Sequence, residues 1–197
     1  MAGALIMALD VATHTGYAVG RIGEKPRFKT WRLKKPDDEP ERAFVNLCCL
    51  IRDEILLEGT PDFFCYEAPL SPGALRQEAV GYGKDGEITS VKKVRQTNAK
   101  TTYLLVGLAA VAHATPGAWG VSPRKVSVQT VRKAFLGFGR PENPKQLVMD
   151  QCRRLGFDVK DDNQADALAL WHYQAGQTTV WEKVQAAEAK LGSLFSR

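Results

Sequence analysis

Asp10, Glu67 and Asp166 stand out in the sequence because of where they fall, and Asp162 lies one helical turn before the last of them. Asp10 and Glu67 each end an apolar run, and Asp162 and Asp166 lie at the start of a largely apolar helix. A charge in such surroundings is costly unless it is paired or bound to a metal. Carboxylate oxygens suit Mg²⁺ and Mn²⁺ better than zinc. We therefore expect these four residues to hold two Mg²⁺ ions (Mn²⁺ substituting) that promote hydrolysis of a phosphodiester.

Each carboxylate alone has a simpler interpretation. Asp10 would cap a turn, Glu67 would be solvated at a strand end, and Asp161 or Asp162 would cap a helix N-terminus. Asp162 and Asp166 are four residues apart, so they share a helix face. Their joint occurrence at two strand ends and one helix start favours a metal site.

The elements around these residues predict an α/β fold. Residues 4–33 are predicted to form three short antiparallel strands. A helix follows them, and a buried strand over 62–67 continues the sheet. Residues 71–96 are glycine-rich and basic, which predicts a mobile loop. Beyond it we expect a helix over 98–114, a fifth strand over 119–121, and helices over 126–136, 144–155 and 163–175. Residues 1–176 would form one nuclease domain, followed by an amphipathic helix over 177–197.

Composition sets broad limits on the protein. The chain has 197 residues and a net charge of +5, which favours polyanionic partners without identifying them. The four cysteines lack the spacing of a zinc site or a disulfide framework. No signal peptide and no apolar run of membrane-spanning length is evident, so we expect the cytoplasm of a prokaryotic or phage-infected cell.

Basic residues cluster in two stretches, which we interpret as contacts to DNA phosphates. Any one of them alone is equally well a solvated surface charge. Tyr82 is a candidate for stacking on an unpaired base, whereas His14 and His172 are not assigned to a metal. The candidate DNA-binding residues are Tyr82, Lys84, Lys92, Lys93, Arg95, Lys100, Arg124, Arg132, Lys133, Arg140 and Lys145.

The chain resembles the RuvC family of Holliday junction resolvases, particularly phage-encoded members, over residues 5–173. The run from Asp10 to Thr15-Gly16-Tyr17 is similar to that family's opening strand and turn. Tyr66-Glu67 resembles its second acidic position, and Asp166-Ala167-Leu168-Ala169 resembles its closing helix. Residues 122–145 resemble the region before that helix.

This resemblance implies an RNase H-like fold with a mixed five-stranded sheet, Mg²⁺ dependence, and a homodimer in which each subunit nicks one strand of a four-way junction. The sequence departs from the family where its third acid usually lies, three residues before the last. Asn163 occupies that position. Either the adjacent Asp162 supplies the fourth ligand, or Asn163 contributes its carbonyl oxygen.

Other functions remain open at this point. The segment from Asp10 to Gly16 also resembles the first phosphate loop of sugar-kinase and actin-like ATPases, but no second glycine-rich phosphate motif follows a strand. A catalytically weak DNA-binding relative is compatible with Asn163. Within the nucleases, the substrate is a four-way junction or, alternatively, a flap, a fork or an RNA–DNA hybrid.

Overall fold

The computed structural model describes residues 3–67, 75–82, 88–95, 98–137 and 143–195. Its main sheet has the strand order β3-β2-β1-β4-β7. β1 pairs antiparallel with β2, β2 antiparallel with β3, and β4 parallel with both β1 and β7. This mixed sheet confirms the predicted fold class. The strands are β1 (Leu5–Asp10), β2 (His14–Arg21), β3 (Arg27–Arg32), β4 (Phe63–Glu67) and β7 (Arg124–Val126).

Helices cover both faces of the sheet. One face packs against α1 (Pro40–Glu58) and α2 (Ala99–Gly117) through Leu5, Met7 and Leu9 of β1. The other face packs, through Ile6 and Ala8, against α3 (Val128–Leu136), α4 (Pro144–Arg154) and α5 (Asp162–Phe195). Successive strand side chains point to opposite faces, and the apolar run of β1 supplies both cores. This two-sided burial explains why the first strand is continuously hydrophobic.

The same alternation decides which way the strand carboxylates point. Asp10 lies on the same face of the sheet as Ile6 and Ala8, and Glu67 lies on the same face as Cys65. Ile6, Ala8 and Cys65 belong to the core beneath α5. β1 and β4 are parallel neighbours, so their carboxyl ends meet at one edge of the sheet. The backbone therefore directs Asp10 and Glu67 to the α5 side of that edge.

The fifth strand does not lie where the sequence predicted it. Residues 118–120 form a turn whose amides donate to the carbonyls of Thr115, Pro116 and Gly117. The prediction of a strand over 119–121 is therefore wrong, because this segment closes the end of α2. The strand that joins the sheet is β7, where Val126 pairs with Glu67.

The prediction of a loop over 71–96 is wrong for 75–82 and 88–95. These residues form β5 (Leu75–Tyr82) and β6 (Ile88–Arg95), an antiparallel pair in a separate two-stranded sheet. β6 carries the β-branched residues Ile88, Val91 and Val94, which favour a strand, whereas the glycines and lysines had indicated a loop. The register sets Glu78 opposite Lys92.

The last two predicted helices are one helix. α5 runs without interruption through 34 residues, so the predicted boundary after Gly176 falls inside it. Gly176 is not among the glycines with positive φ, so it does not end the helix as a C-cap glycine would. Among the described residues, no helix combines the length and apolarity needed to cross a membrane.

Candidate active site

Asp10 and Glu67 occupy an environment that disfavours two charges. Burial raises the pKa of Asp10 to about 7, and the charges of Asp166 and Asp162 contribute to the rise. Burial also raises the pKa of Glu67 to about 8, with the charges of Asp10 and Asp166 as further causes. Because Asp10, Asp162 and Asp166 each raise the pKa of another of these carboxyls, and Glu67 responds to two of them, the four side chains belong to one electrostatic cluster.

The first turn of α5 is fixed to the sheet by its own residues. Asp161 accepts a hydrogen bond from the Gln164 amide at 2.8 Å, which caps the helix, and another from the Thr30 hydroxyl of β3 at 2.7 Å. Gly16 faces this turn so closely that a Cβ there would lie 1.9 Å from the carbonyl oxygen of Asn163. Gly16 is paired with Asp10, so the missing side chain allows α5 to approach β2 beside Asp10.

Two cations face the helix carboxylates. Lys145, at the start of α4, donates to Asp162, and this contact lowers the pKa of Asp162. The Nη2 atom of Arg132 in α3 lies 3.8 Å from the Oδ2 atom of Asp166. Burial raises the pKa of Asp166, and the charge of Arg132 opposes that rise. The capping role belongs to Asp161, which leaves Asp162 directed toward Lys145 and the cluster.

The donor set fits a hard divalent cation. Asp10, Glu67 and Asp166 are carboxylates with raised pKa values, and a divalent cation relieves the repulsion between such groups. Among the described residues, no three His, Cys, Asp or Glu side chains are already gathered at metal-binding geometry. Binding therefore requires these side chains to turn toward a shared ion. The charges of Arg132 and Lys145 oppose the rise in the pKa values of Asp10 and Asp166.

Arg132 also carries an unsatisfied donor. Its Nε is buried and has no hydrogen-bond partner within the described structure. A buried donor without a partner is costly, so Arg132 has a hydrogen-bonding group that the described residues leave unpaired. The sequence placed Arg132 and Lys145 only on the DNA surface. The one signal for Lys145 was its position at a helix start, which disfavours a cation.

The remaining predicted DNA-binding residues lie at several places. Lys100 is exposed in the first turn of α2, Lys133 is exposed on α3, and Arg124 of β7 lies over the Phe63 ring at 5.2 Å. Tyr82 ends β5, and β6 carries Lys92, Lys93 and Arg95. Lys84 and Arg140 lie outside the described residues.

The two histidines that the sequence left unassigned stay outside the cluster. His14 is exposed at the start of β2. His172 packs among Phe135, Phe157 and Trp171, and burial lowers its pKa. Neither side chain contributes to the electrostatics of the carboxylates.

Solved structures share this arrangement of strands and helices. A structure of Thermus thermophilus RuvC is 17% identical, with a TM-score of 0.57 over 84% of this chain and 90% of that one. T. thermophilus RuvC in complex with a Holliday junction substrate is 13% identical, with a TM-score of 0.58 over 85% of this chain and 89% of that one. The chain has a RuvC-type resolvase fold.

The yeast mitochondrial Holliday junction resolvase Ydc2 has the same RuvC-type fold. It is 12% identical, with a TM-score of 0.52 over 91% of this chain and 82% of that one. No protein-family model and no curated protein sequence matches the chain. The fold is therefore recognised through its structure, while the reaction has to be argued from the side chains.

Proposed function

We propose that the protein is a metal-dependent endodeoxyribonuclease that cleaves Holliday junctions by paired hydrolytic nicks. The observation that carries this proposal is the gathering of three carboxylates where β1, β4 and α5 meet, so that the charges of Asp10 and Asp166 raise the pKa of Glu67, beside the unpartnered donor of Arg132. Carboxylates that can bind divalent cations, beside an arginine that can bind a phosphate, suit the cleavage of a phosphodiester. The RuvC-type fold supports the same reaction class.

In this proposal Asp10, Glu67, Asp162 and Asp166 hold two Mg²⁺ ions, for which Mn²⁺ can substitute. When bound, the ions supply Lewis-acid activation of the attacking water and charge compensation at the leaving oxygen. The chain's own cations position the substrate. Arg132 Nε donates to a phosphate oxygen, and Lys145 keeps Asp162 ionised and correctly turned, since its contact lowers the pKa of that carboxyl.

The wider DNA surface holds the substrate by its backbone. The β5–β6 hairpin carries Lys92, Lys93 and Arg95, and Tyr82 at the end of β5 would stack on an unpaired base at the branch point. Arg124, Lys133 and Lys100 add positive charge that attracts phosphates without reading base sequence. Such contacts favour recognition of DNA shape, as a four-way junction requires.

We further propose that the protein acts as a homodimer. On α2, the side chains of Tyr103 and Val106 face outward and are 53% and 42% exposed. The helix has few charged residues. Apolar residues exposed along a helix are typical of an interface. A twofold-symmetric pair contains two sites, which is what two matched nicks require.

The test compares DNA structures under matched conditions. Purified protein is incubated with a mobile four-way junction, a linear duplex, a flap and an RNA–DNA hybrid, with Mg²⁺ or with EDTA. Paired symmetric nicks on the junction alone, absent with EDTA and with Asp10→Asn, are expected. Preferential cleavage of the flap or hybrid would contradict the junction assignment, and cleavage in EDTA would contradict the metal mechanism.

A further inference from the structure

A second basic site lies at the carboxylate edge of the sheet, outside both basic stretches that the sequence singled out. It is a cleft of about 450 Å³ between the end of β3 and the first turns of α1. Four cations line it, against one carboxylate, that of Asp38. These cations are Arg32, Lys34, Lys35 and Arg42.

The cleft is built from fixed parts. Lys34 Nζ donates to the carbonyl oxygens of Lys35 at 2.7 Å, Pro36 at 3.1 Å and Asp38 at 2.7 Å. The Asp38 carboxylate accepts the backbone amide of Lys35 at 2.8 Å. The loop is therefore closed on itself by its own charged groups, and the single carboxylate is already engaged with the backbone.

Three cations of the cleft stay unneutralised. Arg32, Lys35 and Arg42 are exposed, and within the part of the chain that the structure describes none of them forms an ion pair. Arg132 and Lys145 differ, because each faces a carboxylate of the cluster. A concave site whose cations have no ion-pair partner among the described residues is suited to an anion rather than to a cation.

One hydrogen bond joins the cleft to the turn after β1, and another joins it to α1. The Leu33 amide donates to the carbonyl of Thr13, in the turn that follows Asp10, at 2.9 Å. Asn46 of α1 donates to the Leu33 carbonyl at 2.7 Å. Leu33 itself is fully buried. These contacts fix the position of the cleft relative to the turn after β1.

Sheet geometry gives the separation between the two sites. Asp10 pairs with Gly16 and Gly16 with Thr30, so Arg32 lies two strands across and two residues further along. Strands are about 4.8 Å apart and rise about 3.3 Å per residue, which gives about 12 Å. A DNA strand advances about 3.4 Å per nucleotide along its axis, so this distance corresponds to roughly three or four nucleotides.

We propose that the β3–α1 cleft is a second phosphate-binding site, which holds the DNA backbone about three or four nucleotides from the cleaved phosphate. The proposal rests on the proposed DNA substrate. It assigns to Arg32, Lys35 and Arg42 the binding of backbone phosphates, and to Lys34 the rigidity of the loop that presents them.

The test is the salt dependence of DNA binding. The double variant Lys35→Gln/Arg42→Gln is compared with the control Lys25→Gln/Arg154→Gln, which removes the same charge at the opposite sheet edge, where Lys25 contacts the Gly156 carbonyl. Affinity for a four-way junction is measured by fluorescence anisotropy in EDTA at several salt concentrations. Each lost phosphate contact reduces the magnitude of the slope of log affinity against log salt concentration by about 0.9.

We expect the cleft variant to lose about 1–2 units of slope and to keep the wild-type unfolding midpoint, while the control keeps the wild-type slope. An unchanged slope in the cleft variant, or an equal loss in the control, would overturn the cleft. A scan of single methylphosphonates along one arm gives a second readout. A methylphosphonate at one position near the branch should weaken the binding of wild-type protein but not that of the cleft variant.

These outcomes separate the cleft from the nuclease. Junction binding with the expected slope change but no cleavage in Mg²⁺ would contradict the proposed function and support the cleft. Cleavage of the junction in Mg²⁺ with an unchanged slope in the cleft variant would support the proposed function and contradict the cleft. Failure to bind any DNA would overturn both.

Discussion

The carboxylates on the strands and those on the helix meet at one site but depend on different parts of the protein. Asp10 and Glu67 project from β1 and β4, and burial raises their pKa values to about 7 and about 8. Asp162 begins α5, where Lys145 lowers its pKa. The sheet supplies rigid positions at the cost of desolvation. The helix supplies a carboxylate that remains charged because a cation accompanies it.

Asp166 combines features of both groups. It is carried by α5, yet burial raises its pKa as it does for the strand carboxylates, with Arg132 opposing the rise. The transition from Asp162 to Asp166 is a single helical turn. The environment therefore changes from solvent-facing and paired to buried within one turn, and removing individual carboxylates should have graded effects.

The largest effect is expected from a strand carboxylate. Asp10→Asn should reduce junction cleavage by more than about 100-fold, because even the outer partners of metal ligands contribute 10–100-fold. The same change should raise the unfolding temperature of the metal-free protein, since it removes a desolvated charge. Cleavage assays and thermal unfolding in EDTA measure the two effects.

The control for this change is Asp158→Asn, because Asp158 is exposed and forms an ion pair with Lys160 away from the cluster. It should alter neither cleavage nor unfolding temperature appreciably. If Asp10→Asn destabilised the metal-free protein, the account of Asp10 as a buried, uncompensated charge would be wrong.

The approach of the helix to the strands is tested at Gly16. In Gly16→Ala the new Cβ would meet the Asn163 carbonyl oxygen at 1.9 Å, so α5 must shift away from β2. We expect a loss of roughly 1–3 kcal/mol in the free energy of unfolding, as for other overpacked sites, together with loss of cleavage. Denaturant unfolding monitored by circular dichroism measures the stability.

Gly176→Ala is a matched control on the same helix. A Cβ at Gly176 meets nothing within 4 Å, and alanine in a helix interior is favoured over glycine by about 1 kcal/mol. This variant should be at least as stable as wild type. Equal behaviour of the two alanine variants would show that close contact at Gly16 does not position α5.

The pH dependence of stability should distinguish the strand carboxylates. Their pKa values are higher in the folded protein than in the unfolded chain, so the folded state binds more protons between about pH 4 and 8. Metal-free protein should therefore lose stability as the pH rises through this range. Each pKa unit corresponds to about 1.4 kcal/mol, which makes the loss measurable as several degrees in the unfolding midpoint.

The comparison that isolates these groups is wild type against Asp10→Asn/Glu67→Gln, at pH 6 and pH 9 in EDTA. The double variant should show a smaller decline, while shared contributions such as His172 cancel in the difference. Saturating Mg²⁺ should flatten the wild-type decline, because bound carboxylates stay ionised. Parallel profiles of the two proteins would refute the raised pKa values.

Periodicity in the sequence was sufficient to locate the strand carboxylates. The apolar runs that end at Asp10 and Glu67 predicted two buried strands, and the parallel pairing of β1 and β4 confirms their shared edge. β7 differs, because Arg124-Lys125-Val126 has no apolar pattern and becomes a strand by pairing with β4. Such a strand depends on a partner distant in sequence, so a local window does not reveal it.

The helix side of the site was predicted less completely for the same reason. No local pattern indicated that Arg132 would face Asp166, or that Asp161 rather than Asp162 would cap α5. Both facts follow from how α3, α4 and β3 pack against the first turn of α5. Only the four-residue spacing of Asp162 and Asp166 was visible locally.

The smallest effect is expected at the fourth carboxylate, which is also the position left open by Asn163. Asp162 affects the pKa of both Asp10 and Asp166, whereas Asn163 packs its backbone against Gly16. We therefore expect Asp162→Asn to reduce cleavage by about 10–100-fold and to raise the Mg²⁺ concentration needed for half-maximal rate. Asn163→Ala should change either quantity by less than about threefold, well under the lower end of that range.

Lys145→Gln determines how Asp162 contributes. If Lys145 acts by keeping Asp162 ionised and oriented, the double variant with Asp162→Asn should be no worse than Asp162→Asn alone, since the two residues act as one unit. Additive losses would instead assign Lys145 a separate contact with DNA. A larger loss from Asn163→Ala than from Asp162→Asn would move the fourth ligand to Asn163. In that case the helix side would contribute an amide oxygen in place of a cation-supported carboxylate.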